Sequence, residues 1–450
     1  MGYHHSIFKF NSCYSYNTKR LAGINASTFW RLGAWSVTTG YPELCAFHQQ
    51  RLIFAKDRTF WCSKIGDLYN FAPDNSEHKD IIDSDTGFYF DIDRTAQINW
   101  IKSLKDVLIA GCLDNLQSIS NVNQGISGTV AKIESSVACA FIEPVVIGNE
   151  IIFVELGGKR LYAVGFEFSK DGYVPDNITL LAEHMTEDST FVQLAFQDLP
   201  GKVLWVLRED GKLRSCTYVK DQEQRSWSTH TIGGTEVDVE SISVIPGADY
   251  SELWAVIKRT INSGTKRYVE CMQHFFNQHD KDEAFFIDSG LTYEGAASDT
   301  ITGLSHLEGQ TVSINVEGAE HPTRVVASGS ITLEAETTKC HVGLGYTSEL
   351  ETVEQDGGDV NTSLQATFSR TWAVGIRFHD SLGCNIGYNS TDVREVNFRD
   401  VNDFYGSGPE LKTGFQVEPI NSGVQLNYKC YLNSTTPVCV DQLLCSWSLT

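Results

Sequence analysis

The sequence predicts an all-β fold: a β-propeller, not necessarily with a full set of blades, followed by additional small C-terminal β-barrel or sandwich modules. Short apolar runs recur about every 50 residues, the length of one four-stranded propeller blade. Turn signals that contain Gly, Asn or Asp separate these runs from further strand-like segments. Two or three unrelated β-sandwiches are the alternative, because they also place strands at short intervals. The apolar runs begin at Leu52, Leu108, Ile151, Leu204 and Leu253.

The segment 201–247 shows the pattern most fully, since it contains four strand-like runs in a row. Residues 203–207 are apolar on both faces, as expected of a strand buried between stacked sheets. Asp210-Gly211 predicts a hairpin turn, because Asp-Gly tolerates the positive φ of a tight reversal. We interpret the four runs as the meander of a single blade. The other three runs are 212–219, 225–232 and 237–245.

These patterns divide the chain into four regions. Within the second region, Asp176 is placed to cap a short helix over 177–185, with Leu180 and Leu181 facing inward. In the third region, short strands are expected at 304–307, 311–316, 324–327, 330–333 and 341–344. The four regions are an irregular N-terminal lead-in at 1–28, a β-propeller-like domain at 29–287, a small β-barrel or sandwich module at 288–350, and a C-terminal β region at 351–450.

Two tight turns in the propeller-like domain are candidate interface loops. Loops that a rigid scaffold positions often carry binding functions, so these turns are candidates for contacts with other subunits or with other protein partners. The first turn consists of Lys56, Asp57 and Arg58, and the second of Asn262, Ser263, Gly264 and Thr265.

The charge balance limits the class of partner. The chain has 35 basic and 57 acidic side chains and a formal net charge of −22. This argues against wrapping nucleic acid, which requires basic patches that neutralise phosphates. It is compatible with a wall that DNA passes without adhering, although solubility alone is the commoner reason for an acidic surface. No segment has the apolar length of a membrane span, and residues 1–11 lack the apolar core of a secretory leader.

No catalytic, cofactor or metal site is expected from the motifs. The sequence contains no CxxC pair, no HExxH, no GxSxG and no GxxxxGK[ST]. Most of the 12 cysteines lie in strand-like runs, where a free Cys behaves as a small hydrophobe and indicates folding in a reducing compartment. Cys430, Cys439 and Cys445 are closer together and leave a disulfide or a metal site open. A core position, rather than stacking on sugars or bases, is expected for Trp61, Tyr69, Trp100, Trp205, Trp227 and Trp254.

Several runs together resemble the tail tubular, or nozzle, proteins of short-tailed, podovirus-like bacteriophages. The resemblance begins at Trp30-Arg31-Leu32-Gly33 and extends to about residue 415. Members of this family usually carry a longer region before that motif, so we expect an incomplete version of their propeller here. The other runs that carry the resemblance are 47–55, 61–71, 158–161, 168–173, 180–184, 252–254, 259–263, 266–270, 303–310 and 341–346.

The resemblance implies a structural virion protein rather than an enzyme. Its expected partners are further copies of itself in a hexameric ring, the portal or adaptor, and other tail proteins. Double-stranded DNA would pass through the lumen of that ring without sequence-specific binding. The expected location is the phage tail, after assembly in the bacterial cytoplasm. A tail-tip receptor that binds glycans is the alternative, and a propeller-type glycan hydrolase is a further one.

Overall fold

The computed structural model describes most of the chain. The described residues are 7–10, 13–16, 35–72, 84–92, 97–273, 280–354, 368, 370–399, 401, 408–420, 429–435 and 442–445. Within 1–28, where an irregular lead-in is expected, Ile7–Phe10 (β1) pairs with Cys13–Tyr16 (β2) as a hairpin.

Five antiparallel sheets follow one another between residues 44 and 271, and in each sheet the strands lie side by side in chain order. Sheet 1 contains Leu44–His48 (β3), Arg51–Lys56 (β4), Thr59–Cys62 (β5) and Phe88–Asp91 (β6). Sheet 2 contains Ile98–Leu104 (β7), Val107–Cys112 (β8), Leu116–Ser120 (β9) and Val130–Ser135 (β10). Sheet 3 contains Val145–Ile147 (β11), Glu150–Val154 (β12), Leu161–Glu167 (β13) and Gly172–Asn177 (β14). Sheet 4 contains Phe191–Gln197 (β15), Val203–Arg208 (β16), Leu213–Val219 (β17) and Gln224–His230 (β18). Sheet 5 contains Asp238–Pro246 (β19), Ser251–Ile261 (β20) and Gly264–Cys271 (β21).

Three more sheets form the C-terminal part. Sheet 6 contains Asp288–Thr302 (β22), Thr311–Val316 (β23), Ala319–Val325 (β24) and Ser330–Leu344 (β25), in the order β22-β25-β23-β24. The strands after it are Ser348–Glu351 (β26), Ala373–Ser381 (β27), Asn385–Gly387 (β28), Val393–Glu395 (β29), Lys412–Pro419 (β30), Tyr431–Ser434 (β31) and Gln442–Cys445 (β32). Their order is β26-β31-β28-β29 in sheet 7 and β30-β27-β32 in sheet 8. Short 3-10 helices lie at Val122–Gln124, Phe168–Lys170, Glu183–Met185, Lys220–Gln222, Lys281–Glu283 and Ser305–Leu307.

The first five sheets pack face to face, and each of the three inner sheets shares its two faces between its two neighbours. Successive strand residues point to opposite faces, so an apolar run can serve two cores at once. In β16, Leu204 and Val206 belong to the core shared with sheet 3. Trp205 and Leu207, one position along, belong to the core shared with sheet 5. In β12, Ile151 likewise faces sheet 2. This two-sided packing explains why these runs are apolar at successive positions.

Hydrogen bonds also connect each sheet with the next. Because buried polar groups need partners, these bonds fix how neighbouring sheets sit against each other. They include His48 Nδ1 with Ser103 Oγ (2.8 Å) between sheets 1 and 2, and Tyr173 N to Glu134 Oε2 (3.2 Å) between sheets 2 and 3. Tyr218 Oη to Glu150 Oε2 (2.7 Å) connects sheets 3 and 4, and Gln193 Nε2 to the Ile242 carbonyl (2.7 Å) connects sheets 4 and 5.

The prediction of an all-β, propeller-like fold is confirmed, with a correction to the blade boundaries. The first residues of all five apolar runs lie in the second strand of successive sheets. The interpretation of 201–247 as one blade is wrong by one strand, however. The run 237–245 is β19, which pairs with β20 in sheet 5, and the first strand of sheet 4 is β15. The described residues do not define a closed ring of sheets.

Two further expectations in this domain are wrong. No α-helix forms over 177–185: β14 ends at Asn177, and a 3-10 turn covers Glu183–Met185. Leu180 and Leu181, expected to face inward, are exposed, because the buried positions of this turn are taken by Ile178 and Ala182. The buried positions here are set by the geometry of a turn and not by the 3.6-residue period of an α-helix.

The predicted core aromatics divide into three groups. Trp100 and Trp205 are fully buried, as expected. The other three tryptophans, Trp61, Trp227 and Trp254, are half-buried. Tyr69 is 96% exposed, so its prediction is wrong. It lies in the connection between β5 and β6, outside any strand, and none of the described sheets covers it.

In the late region, strands at 311–316 and 330–333 are found as β23 and the start of β25. The segment 304–307 is a 3-10 turn rather than a strand, and its Leu304 and Leu307 are buried in the core of sheet 6. Gly303 has a φ of +92°, which glycine adopts without steric cost. The chain therefore turns here instead of continuing as a strand.

Replacing Leu204 by Ala should lower the free energy of unfolding by about 2–5 kcal/mol, because the residue is 0% exposed between two sheets and its loss leaves a cavity. Leu181→Ala is the matched control, since this leucine is 96% exposed and its removal should cost less than about 0.5 kcal/mol. Urea unfolding followed by tryptophan fluorescence measures both. Equal losses in the two variants would contradict the two-sided core.

Candidate functional site

The two predicted interface loops occupy equivalent places in the fold. Lys56, Asp57 and Arg58 surround the turn between the second and third strands of sheet 1. Asn262 and Ser263 form the turn between the second and third strands of sheet 5. Gly264 and Thr265 are the first residues of β21, and all these residues except Lys56 and Gly264 are exposed.

The geometry of the second turn follows from its residues. Asn262 and Ser263 have φ of +48° and +60°, the left-handed pair that a two-residue hairpin of type I′ requires. Asn adopts this conformation more readily than most residues, and Gly264 follows directly. In the first turn, Asp57 has φ of +52° and Arg58 contacts Asp91 at 3.3 Å. Both loops are therefore tightly held by their own hairpins.

The end faces of the five-sheet series are apolar, a feature that the sequence analysis did not identify. On sheet 1, the face away from sheet 2 carries Phe47 and Tyr89, both more than half exposed, beside Phe54 and Trp61. Trp35 packs edge-on against Phe54 and Trp61, so Phe47 and Tyr89 are the exposed part of this face. On sheet 5, the face away from sheet 4 carries Trp254, Val256, Val269 and Ile245. Val269 is 67% exposed. Because side chains alternate between the two faces of a strand, these residues point away from the core that the other side chains of the same strands fill.

A buried ionic cluster joins sheet 5 to sheet 6. Arg259 is 0% exposed; its Nε donates to the Gly233 carbonyl at 2.9 Å and its guanidinium pairs with both carboxylate oxygens of Glu270. The Gly233 amide donates to Asp288 Oδ2 at 2.6 Å. Asp288 is the first residue of β22, so the single residue Gly233 connects the propeller-like domain to the late module. Burial raises the pKa of the Asp288 carboxyl to about 6, although the Gly233 hydrogen bond and the Arg259 charge oppose the rise.

A Ser–His pair also lies within sheet 4. Ser215 Oγ is 2.7 Å from His230 Nε2, and both side chains lie beside Trp205. Burial, together with the charge of Arg214, lowers the pKa of His230 to about 4. The imidazole is therefore neutral at physiological pH, and Ser215 is buried. A buried hydroxyl without access for a substrate satisfies the histidine rather than acting as a nucleophile.

Seven cysteines of the described residues are free thiols: Cys45, Cys62, Cys112, Cys139, Cys216, Cys271 and Cys340. Cys62 and Cys216 are fully buried between sheets, and burial raises the pKa of each thiol to about 12. Cys45 and Cys271 also lie in strands, as expected, but Cys45 is exposed and Cys271 is half-buried. Cys430 is buried; Cys439 lies outside the described residues. Of Cys445 only the strand is described.

A cavity of about 370 Å³ lies in the C-terminal region, between the ends of sheets 7 and 8. The sequence analysis did not identify it, since its residues come from four separate segments. Charged and aromatic side chains contribute most of its lining, and the floor includes buried Ile386. The polar and aromatic lining residues are Arg370, Trp372, Tyr388, Asp392 and Arg394.

Over the part of the chain that the structure describes, no three His, Cys, Asp or Glu side chains come together as a metal site. Among the same residues, no helix reaches the length and apolar character needed to cross a bilayer.

No protein-family model and no curated protein matches the chain. One similar solved structure is Raptor of Chaetomium thermophilum, with 9% identity and a TM-score of 0.33 over 51% of this chain and 20% of Raptor. Another is the N-terminal domain of Nup159, with 10% identity and a TM-score of 0.30 over 67% of this chain and 78% of that domain. A third is the β-propeller domain of Cps50 (Swd1) from Myceliophteria thermophila, with 8% identity and a TM-score of 0.27 over 52% and 73% of the two chains.

Asp288→Asn should change how stability depends on pH. A carboxyl whose pKa is raised on folding stabilises the fold fully below its unfolded value near 3.8, and this contribution is lost as the pH rises through about 6. The wild type should therefore lose about 1 kcal/mol of unfolding free energy between pH 5 and pH 7 through this group. Asn keeps an oxygen that accepts from Gly233 but does not titrate, so the variant should lack this loss.

Urea unfolding at pH 5, 6, 7 and 8 gives the comparison. Asp221→Asn, at an exposed position, is the matched control and should track the wild type. A variant curve parallel to the wild type over the whole range would contradict the assignment to Asp288.

Proposed function

We propose that this chain is a structural subunit of a bacteriophage tail nozzle, assembled as a ring that surrounds the path of ejected DNA. The observation that carries the proposal is the series of five sheets that share cores and are joined by hydrogen bonds from one sheet to the next. Such packing makes a stiff wall, because no sheet can tilt without opening a core on either side. Resemblance of the motifs from Trp30 onward to nozzle proteins supplies the particular role.

The two apolar end faces support assembly with further copies. One end of the series presents the outer face of sheet 1, and the other presents the outer face of sheet 5. Contact between unlike faces of neighbouring copies is heterologous, and it closes into a ring when the rotation per subunit divides a full turn. Apolar faces of this kind mark interaction sites on soluble proteins. Six copies are the number that the resemblance implies.

The charge of the chain supports passage of DNA without adhesion. A net charge of −22 per subunit would give a sixfold ring a strongly negative field. Phosphates are repelled by such a field at ordinary ionic strength within about a Debye length of 8–10 Å. The wall then guides the duplex without holding it.

The purified chain should form rings with a central hole under assembly conditions, visible by negative-stain electron microscopy and as a hexamer mass in light scattering. Val269→Arg should abolish the rings, because it places a charge in the apolar end face of sheet 5. Thr265→Arg tests the loop contact separately, since Thr265 lies at the exposed start of β21.

Val130→Arg is the matched control for the valine change, since Val130 is 54% exposed on β10, away from both end faces. This variant should assemble as the wild type does. A wild-type chain that stays monomeric at all concentrations, or rings that tolerate Val269→Arg and Thr265→Arg alike, would count against the proposed interfaces.

A further inference from the structure

We propose that Arg208 and Arg214, two buried arginines of sheet 4, form a binding site for a small tetrahedral oxyanion such as sulfate or phosphate. Both side chains lie on the face of sheet 4 that packs toward sheet 3. The inference depends on the geometry and charge of this pair and not on the proposed nozzle role.

The register of two neighbouring strands places the arginines side by side. Arg208 is the last residue of β16, and Arg214, the second residue of β17, lies opposite Val206. Because side chains alternate between the faces of a strand, Val206, Arg208 and Arg214 point to the same side. Arg208 and Arg214 are therefore diagonal neighbours. Such neighbours lie about 7–8 Å apart, which is within reach of two long side chains that bind the same ion.

Each of the two guanidinium groups has a buried Nε–H donor without an acceptor. Arg208 is 4% exposed and Arg214 is 7% exposed. Within the described part of the chain, neither Nε atom has a hydrogen-bond partner. A buried donor without an acceptor costs free energy, since it has lost its hydrogen bond to water. Because the two donors belong to adjacent side chains on one face, a single ion with several oxygens satisfies both.

Existing contacts fix the position of Arg208 and leave most of the Arg214 guanidinium available. Arg208 Nη1 donates to the Met185 carbonyl at 2.8 Å, and Nη2 donates to Asp210 Oδ2 at 2.9 Å. Among the described residues, the guanidinium of Arg214 makes one hydrogen bond, from Nη1 to the Leu213 carbonyl at 3.3 Å, which is longer than usual. Its Nε and Nη2 groups can therefore donate to a ligand.

The local charges select an anion rather than a neutral acceptor. Asp210 is shared, because Lys212 Nζ lies 3.7 Å from the same oxygen that Arg208 contacts. Three cations thus face one carboxylate, an excess of two positive charges that a dianion neutralises. Burial lowers the pKa of Arg214, the charge of Arg208 lowers it further, and Asp210 opposes both effects. Guanidinium groups bind oxyanions through paired, charge-assisted hydrogen bonds.

The position of the pair near the surface limits the size of the ligand. Arg208 is followed directly by the turn between β16 and β17, where Glu209 and Asp210 are exposed. A small ion therefore has a short path to the two side chains. Their own low exposure excludes a nucleic-acid backbone or a protein surface as the ligand.

Isothermal titration calorimetry of the purified chain with sodium sulfate, phosphate and acetate tests the proposal, with sodium chloride holding the ionic strength constant. Sulfate should bind saturably, one ion per chain, and at least about tenfold more tightly than acetate, because the dianion matches the excess charge. Arg214→Gln should abolish saturable binding. Arg214→Lys keeps the charge but lacks the Nε donor, so it should weaken binding about tenfold.

Arg377→Gln is the matched control, because Arg377 is an exposed arginine on β27 and the substitution removes the same charge. This variant should bind sulfate as the wild type does. Circular dichroism establishes that each variant folds; should Arg214→Gln not fold, the comparison of Arg214→Lys with the wild type decides.

The thermal unfolding midpoint is the second measurement. Sulfate should raise it more in the wild type and in Arg377→Gln than in Arg214→Gln, which separates binding at the site from the general stabilisation that sulfate gives to proteins. The absence of saturable binding to the wild type, equal affinity for acetate, or unchanged sulfate binding in the Arg214 variants would overturn the proposal.

Discussion

The packing of two-faced strands between neighbouring sheets is the constraint on which the rest of the structure depends. The second strand of each inner sheet is apolar at successive positions because one face serves the preceding core and the other the following core. Burial of apolar area on both faces provides the stabilisation, and the side-chain period of two decides which core each residue joins. A single-residue slip in β16 would exchange Leu204 and Trp205 between cores of different shape. The register of each inner sheet is therefore fixed by both of its neighbours.

Polar contacts between sheets then fix how neighbouring sheets are positioned, which apolar packing alone specifies less closely. Glu150 is a buried carboxylate of sheet 3 that accepts from Tyr218 and pairs with Lys220, both contributed by the chain of sheet 4. Arg259 plays a comparable part at the other end of the series, where its buried guanidinium contacts Gly233 and Glu270. Losing one partner of such a group leaves a buried charge, which is costly. These contacts give the series a defined geometry rather than a set of sliding layers.

Much of the fold was predictable from the sequence, and the site was not. Leu52, Leu108, Ile151, Leu204 and Leu253 identified equivalent strands because the fully apolar strand of each blade has a simple signature. The first strands were harder to assign: β19 was grouped with sheet 4, since chain order alone does not say at which turn one sheet ends. Leu180 and Leu181 are apolar enough to predict the inward face of a helix, but Ile178 and Ala182 fill the core at this turn instead. The cavity beside Trp372 depends on distant segments, such as Pro419, that only the folded chain brings together.

The shared cores also determine how the molecule comes apart. An inner sheet such as sheet 3 can leave only if two cores open together, whereas sheet 1 and sheet 5 each take part in a single shared core of the series. Stability along the chain therefore has the form of a linear array with nearest-neighbour coupling, in which the ends fray at lower free energy than the middle. Amide hydrogens of β12 and β16 should consequently be among the slowest to exchange with solvent, and capping either terminal sheet would slow fraying of the whole array from that end.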